Sequence, residues 1–320
     1  MNNIKLCINK NNNLLAFSGG VDSSALFYIL LNQDIEFDIA IVDYNQRKQS
    51  KDEVIYATQL AHKYNKKCYI TTYDENKKFS EKEARDFRYN FFDEIIEKEK
   101  YESLITAHQL DDKLEWFLMQ FTKGAGLSEL LSFEEISYRN GYKILKPLLA
   151  YTKKELLHYL ESNNIKYFID ESNKDEKYKR NYFRHNFSEK LLEEFSEGIK
   201  NSFEYLQIDN KSLFSNIEKS TYEELNIYKF SGDLNIAIRL IDKDLKKRGI
   251  IISKGTRDEI LSQKEIVISN KISVSIDNNS IYIAPYLNSP MDKKFKEKCR
   301  INNIPKNIRP YLSTLKDSIF

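Results

Sequence analysis

The chain has 320 residues, with 48 acidic and 50 basic side chains and a formal net charge of +2, so no global charge points to a nucleic-acid or membrane partner. Its three cysteines, Cys7, Cys68 and Cys299, lie far apart and form neither a CxxC pair nor a Cys/His cluster. That argues against a zinc ribbon or a cysteine-held iron–sulfur centre and fits a reducing compartment. The start "MNNIKLCINKNNN" lacks the apolar core of a signal peptide and no apolar run has membrane-spanning length, so a soluble cytoplasmic protein without a membrane partner is expected.

In chain order, "LLAF" reads as a buried strand, followed by a helix from Asp22 or Ser23 to Leu31. Phe37 to Tyr44 is a second strand, Ser50 to Asn65 a helix, and "KCYITTY" a third strand. Ser80 and Glu83 have capping-box spacing and open the next helix. Ser103 to His108 is a fourth strand, with "DDKLEWFLMQF" the helix after it. Thr152 and Glu155 form another capping box. Beyond Lys190 the sequence turns long, helical and polar. "EIVISNKISVSIDNNSIYIAPY" then alternates as a meander with turns at Ser269-Asn270 and Asn278-Asn279. Strands alternating with helices predict an α/β fold, a doubly wound, mostly parallel sheet, with a smaller helical/α+β C-terminal region. Ligands in such sheets sit at the carboxyl ends of strands, at a topological switch point.

The string "SGGVDSS" stands between the first strand and its helix. Gly19 and Gly20 permit a tight turn, and the helix start offers free backbone N–H groups to an anion. Ser18, Ser23 and Ser24 add hydroxyls. By itself the glycine pair could equally be a plain strand-to-helix turn. The loop is not a Walker A sequence, because no Gly-Lys-Ser/Thr follows. Asp22 where a lysine would stand suggests that the phosphate arrives with Mg2+.

The whole string resembles the PP-loop signature of ATP pyrophosphatases, which split ATP between its α- and β-phosphates. "TAHQLDDKLEWFLM" then resembles the "AHHxDDQxET" box of the tRNA(Ile)-lysidine synthetase family. "EARDFRYNFF", "KGAGLSELLSF", "LKPLLAYTKKEL" and "YFIDESNKDEKYKRNYFRH" resemble that family's further boxes, the last carrying its D-x-S-N and R-N-x-x-R-H elements. The likeness covers residues 12 to 190 well and the remainder loosely.

What the resemblance implies is an ATP-dependent ligation of free L-lysine to C2 of the wobble cytidine in the CAU anticodon of tRNA(Ile), through an adenylated cytidine. It implies three regions: a PP-loop ATP-binding catalytic domain over 1–190, a helical/α+β tRNA-binding domain over 191–287, and a short basic C-terminal segment over 288–320 that stands as a shortened C-terminal domain. ATP and its pyrophosphate are expected at Ser18, Gly19, Gly20, Val21, Asp22, Ser23, Ser24 and Asp43. Asp112 and Glu115, three residues apart and so on one helix face, are expected to hold lysine. Asp22, Asp112, Glu115 and Arg180 form the expected catalytic set, with Asp22 and Asp111 as candidate Mg2+ ligands. Arg47, Arg85, Arg88, His108, Arg180, Asn181, Arg184 and His185 are expected to contact tRNA or phosphate, which suits the arginine fork. The bland readings are acids that complement a helix dipole, a solvated basic face and a structural histidine. Relatives are often dimers, so the resemblance leaves room for a homodimer without setting the oligomeric state.

The chain departs from the family pattern at Tyr44 and Gln109, where His is usual, at Lys113, where Gln is, and at Trp116, where Thr is. Two other readings stay open at this point. A PP-loop tRNA thiolase would want a suitable cysteine pair, and a non-catalytic nucleotide- or RNA-binding module would not need the intact loop and acids together.

Overall fold

In a computed structural model describing residues 8–10, 12–45, 49–74, 80–169 and 179–315, Leu14 and Leu15 point to opposite faces of one strand. Both are fully buried, in two different hydrophobic clusters. Successive side chains of a strand alternate sides, so burial of both means that layers cover the sheet on both faces. Leu15, Ile39 and Ile105 pack with Phe27, Leu60 and Leu156 on one side. Leu14, Ala40 and Leu104 pack with Phe92, Ile95 and Ile96 on the other.

The elements of this unit are β1 (Asn13–Ala16), α1 (Val21–Asn32), β2 (Phe37–Asp43), α2 (Gln49–Lys63), β3 (Cys68–Thr72), α3 (Glu81–Glu99) and β4 (Ser103–Ile105). They continue with α4 (Leu110–Phe121), α5 (Leu127–Leu130), β5 (Ile136–Arg139), β6 (Tyr142–Leu145), α6 (Lys153–Ser162), α7 (Lys179–Phe183), a π-helical turn Arg184–Ser188, and α8 (Glu189–Leu213). Sheet order is β3-β2-β1-β4-β6-β5, parallel except for β5. This is the doubly wound, mostly parallel α/β sheet expected. The chain runs from β1 outward through β2 and β3, then returns to place β4 on the other side of β1. The switch point therefore lies between β1 and β4.

Both predicted caps stand at helix starts, Ser80 as a side-chain N-cap and Thr152 with Glu155 as a full capping box. The Ser80 hydroxyl accepts from Glu83 N at 3.2 Å, and Thr152 and Glu155 cap each other's backbone N–H groups. Two features differ from the sequence expectation. Strand β4 ends at Ile105 rather than His108, because only Thr106 N still reaches across, to Leu145 O at 2.9 Å. The β5–β6 hairpin adds two strands beyond the expected four, with Asn140 and Gly141, at φ +44° and +88°, as the Asn-Gly signature of a two-residue turn.

Contacts divide the chain into Met1–Leu206 and Gln207–Phe320, a division that falls inside α8. The second unit holds β7 (Glu218–Tyr222), β8 (Leu225–Lys229), α9 (Leu234–Lys247), α10 (Lys254–Gln263), β9 (Glu265–Ile268), β10 (Ile272–Ile276), β11 (Ser280–Pro285), α11 (Lys293–Ile301) and α12 (Arg309–Leu312). Its antiparallel sheet has the order β7-β8-β11-β10-β9. One face packs Val274 and Ile283 with Ile241, Leu245 and Ile260, and the other packs Leu225 and Ala284 with Cys299, Ile308 and Leu312. The meander turn at Ser269-Asn270 has φ near +50° at both residues, φ +52° and +53°. Cys7, Arg47 and the D-x-S-N string lie outside the described residues. Among the described residues no helix is long and apolar enough to cross a membrane.

Candidate active site

The crevice between β1 and β4 opens at their carboxyl ends, where the loop before α1 and the start of α4 meet. Gly19 sits at φ +73°, a region L side chains rarely adopt, and a Cβ there would meet the Phe168 ring at 3.2 Å. Phe168 N donates to Gly19 O at 2.9 Å, so the segment after α6 braces the turn from behind. Gly20 is the N-cap of α1 and supplies no side-chain cap. The first-turn N–H groups of a 12-residue helix thus have no capping side chain, which suits an anion. The serines stiffen this loop. Ser24 Oγ donates to Gly19 O at 3.1 Å, Ser18 N donates to Ser23 Oγ at 3.2 Å, and the Ser18 and Ser23 hydroxyls are 3.1 Å apart. Val21 is buried, so only its backbone can serve a ligand.

Asp22 lies one residue into α1. Its Oδ1 is buried without a hydrogen-bond partner. Burial, reinforced by the nearby Asp112 and Asp111 charges, pushes its carboxyl up to about 7, against the opposing pull of Lys153 and Arg184.

Helix α4 begins on a cap that explains one departure from the family pattern. Gln109 accepts from Asp111 N at 2.5 Å, and Gln109 N donates to Asp112 Oδ2 at 3.0 Å. Gln109 therefore orients the carboxylate expected to act. Asp111 Oδ2 accepts from Lys153 N at 3.0 Å, tying α4 to the start of α6, and burial raises its carboxyl to about 6. Lys113 is buried with its ammonium 4.5 Å from the Phe203 ring centre. Trp116 Nε1 donates to Ser132 Oγ at 3.2 Å, and its ring stacks on Phe133.

The two expected lysine-binding acids are met by two arginines from α7 and the π-turn. Arg180 Nε donates to Glu115 Oε2 at 2.8 Å, and its terminal nitrogen donates to Asp112 Oδ1 at 2.5 Å. Arg184 Nε donates to Glu115 Oε1 at 2.6 Å and its terminal nitrogen to Oε2 at 3.1 Å, with Asp112 Oδ1 at 3.6 Å. Glu115 is completely buried. Burial works to raise the Asp112 carboxyl, but the Arg180 guanidinium, the Gln109 N–H and Arg184 outweigh it and hold it below the ordinary range. The π-turn closes with Glu189 N donating to Arg184 O, five residues back, a geometry frequent at functional sites.

His108, just past β4, has its Nδ1 2.9 Å from Thr106 Oγ1 and its ring edge-on to Phe133. Burial lowers its pKa to about 4, so the ring is neutral at pH 7. Lys146, at the end of β6, is also buried. It donates to Glu134 O and Ser137 Oγ, both at 3.0 Å, and burial lowers it to about 8. Arg85 and Arg88 lie over the Tyr89 ring, and their charges reach Lys146 and His108 respectively. Lys146 and Lys153 both lie in the "LKPLLAYTKKEL" box, where nothing in the local string marks either as a site residue.

Asp43 ends β2, where its Oδ1 accepts from Asn45 N at 2.8 Å. His185 turns to Glu189 Oε2, 3.1 Å away, and Asn181 is buried. Arg47 is outside the described residues. A cavity of about 250 Å³ lined by Asn13, Asp38 and Tyr101 opens at the amino ends of the strands, opposite the site.

Residues 2–191 match a family described as a PP-loop domain. A curated tRNA(Ile)-lysidine synthase from Campylobacter jejuni (strain RM1221) is 42% identical over 315 residues, spanning 98% of this chain and 95% of that protein. One from Wolinella succinogenes is 40% identical over 305 residues, 95% of this chain and 93% of its own length. Among solved structures, the U34-tRNA thiolase NcsA from Methanococcus maripaludis superposes with a TM-score of 0.48 at 18% identity, over 61% of this chain and 70% of that one, too slight a likeness to bear on activity.

Proposed function

This chain belongs to the tRNA(Ile)-lysidine synthase family of PP-loop proteins, and from that membership we propose that it ligates free lysine to the wobble cytidine of a CAU-anticodon isoleucine tRNA at the expense of ATP. The structural observation that carries the reading is the convergence, at one switch point, of an uncapped phosphate loop with the Asp112–Glu115 pair.

The C2 oxygen of the cytidine attacks the α-phosphorus of ATP. The bond to the β-phosphate oxygen breaks, and pyrophosphate leaves. The loop from Ser18 to Ser24 and the start of α1 hold that pyrophosphate, a task for backbone N–H groups and a helix dipole. The lysine ε-nitrogen then attacks C2, the C2–O bond breaks, and AMP departs with the oxygen. The ammonium, whose ordinary pKa is about 10.4, sheds one proton to become a nucleophile, and the nitrogen loses a second to solvent once the bond to C2 has formed. Asp112 and Glu115 orient the ammonium, and Asp112, ionised at neutral pH, is placed to accept the first proton.

Among the described residues no cluster of three or more acidic, His or Cys side chains forms a metal cage. Mg2+ does not need one, since it keeps waters and takes one or two carboxylates plus substrate phosphates. The partnerless Asp22 Oδ1 fits that mode; Asp111, half committed to Lys153 N, fits it less well. Bound there with ATP, Mg2+ would supply charge neutralisation for the departing pyrophosphate. The basic α11, with Lys293, Lys294, Lys296, Lys298 and Arg300, and the region from 191 to 287 grip the tRNA, chiefly through phosphates.

The test is incubation of the full chain with ATP, Mg2+, radiolabelled lysine and an isoleucine tRNA transcript bearing CAU. Label should enter the tRNA, and AMP and pyrophosphate should appear in equal amounts. Folded protein that leaves the tRNA unlabelled would overturn the reading, and sulfur transfer instead would favour a thiolase.

A further inference from the structure

We propose that Arg180 is a stand-in cation: in the lysine-free enzyme its guanidinium occupies the place on Asp112 and Glu115 that the substrate ammonium takes, and lysine binding exchanges the two. The inference rests on the reading that lysine binds this carboxylate pair.

Two buried carboxylates cannot stay ionised side by side without compensating cations. Here there are two, and they are not equivalent. The Arg184 side chain is 15% exposed and clasps both oxygens of Glu115. The Arg180 side chain is 35% exposed and takes one oxygen from each acid, Glu115 Oε2 and Asp112 Oδ1. If Arg180 withdraws, Glu115 keeps both bonds to Arg184, and Asp112 keeps the Gln109 N–H. What these two acids lose is one positive charge bridging Asp112 Oδ1 and Glu115 Oε2. An ammonium, with three donors around a point charge, replaces that charge.

Charge balance also argues for exchange over simple addition. Among Asp112, Glu115, Arg180 and Arg184 the charges match, two acids against two arginines. Adding an ammonium while Arg180 stays would set two cations against each other on the same carboxylate oxygens. Withdrawal of Arg180 avoids this and frees its fork for phosphate, the partner its geometry suits. Arg184, the more buried of the pair, then remains as the fixed cation, and Arg180 is the mobile positioning residue.

The experiment is equilibrium dialysis of radiolabelled L-lysine against the full-length wild-type protein, Arg180→Ala and Arg180→Lys, without ATP or tRNA. Removing a competing charge-assisted hydrogen-bonded cation should make Arg180→Ala bind lysine about tenfold more tightly. Arg180→Lys, which keeps a competing cation, should stay near wild type. Equal or weaker binding by folded Arg180→Ala overturns the exchange. A second measurement needs no variant: phenylglyoxal modification of wild-type arginines, read by peptide mass spectrometry. Lysine should speed modification of Arg180 and leave Arg184 slow; lysine that protects Arg180, or leaves its rate unchanged, overturns the proposal. If wild type makes lysidine and binds lysine while Arg180→Ala shows no gain, only the exchange fails. If wild type neither binds lysine nor makes lysidine, the underlying reading fails with it.

Discussion

Asp22 and Asp112 share one site, yet their carboxyls are driven in opposite directions. Asp22 has no hydrogen-bond partner for Oδ1 and is pushed up to about 7, whereas Asp112, facing Arg180, is held below the ordinary range. The sign of the first is testable. Folded Asp22 keeps its proton up to about 7, while the unfolded side chain loses it near 3.8, so its contribution makes stability fall as pH rises between those values. Asp22→Asn should remove that part of the slope in urea unfolding curves. Wild-type protein should also release a proton on binding magnesium pyrophosphate at pH 6.5, and Asp22→Asn should not; calorimetry in buffers of different ionisation enthalpy reads the difference. His108, lowered to about 4 from 6.5, tilts stability the other way over much of the same range, so the single variant is needed to expose Asp22. Asp112→Ala should slow lysine transfer by about 100-fold, the lower range for losing a general acid–base group, while ATP affinity stays close to wild type. A parallel loss of ATP affinity would contradict the role given to Asp112.

At the level of elements, the phosphate loop shows how far local strings carry. Gly19 was legible as a turn glycine, and its φ of +73° bears this out. That the turn is backed by Phe168 was not legible, because those residues lie far apart in the chain and meet only through the sheet. Gly19→Ala combines a disfavoured φ with a 3.2 Å approach to that ring, and should cost about 1–3 kcal/mol and weaken pyrophosphate binding. Thermal unfolding and pyrophosphate titration of the same variant check both effects. Helix starts were readable where Ser or Thr supplies the cap, as at Ser80 and Thr152. Gln109 was not recognised as a cap, since glutamine is an uncommon N-cap and only its geometry reveals the bond to Asp111 N.

For the molecule as a whole, the segment after Ser289 packs its apolar residues into the second unit. Ile308, fully buried, lies in one cluster with Leu225, Ala284 and Leu312. Ile308→Ala should therefore cost about 2–5 kcal/mol in denaturant unfolding. A change below about 0.5 kcal/mol, typical of surface positions, would mean the segment is not part of that core. The sequence by itself determined the α/β winding, the phosphate loop, the reaction family and the acids on α4, because each is written in residues close together in the chain. Only the tertiary structure decided how charge is balanced at the site. Arg180 and Arg184 stand 65 and 69 residues from Glu115, and no spacing rule reaches that far. Their meeting depends on which strand neighbours which, and so do the buried Lys146 and the link from Lys153 to Asp111. Burial then converts that placement into chemistry, since charges removed from water must find partners within the fold.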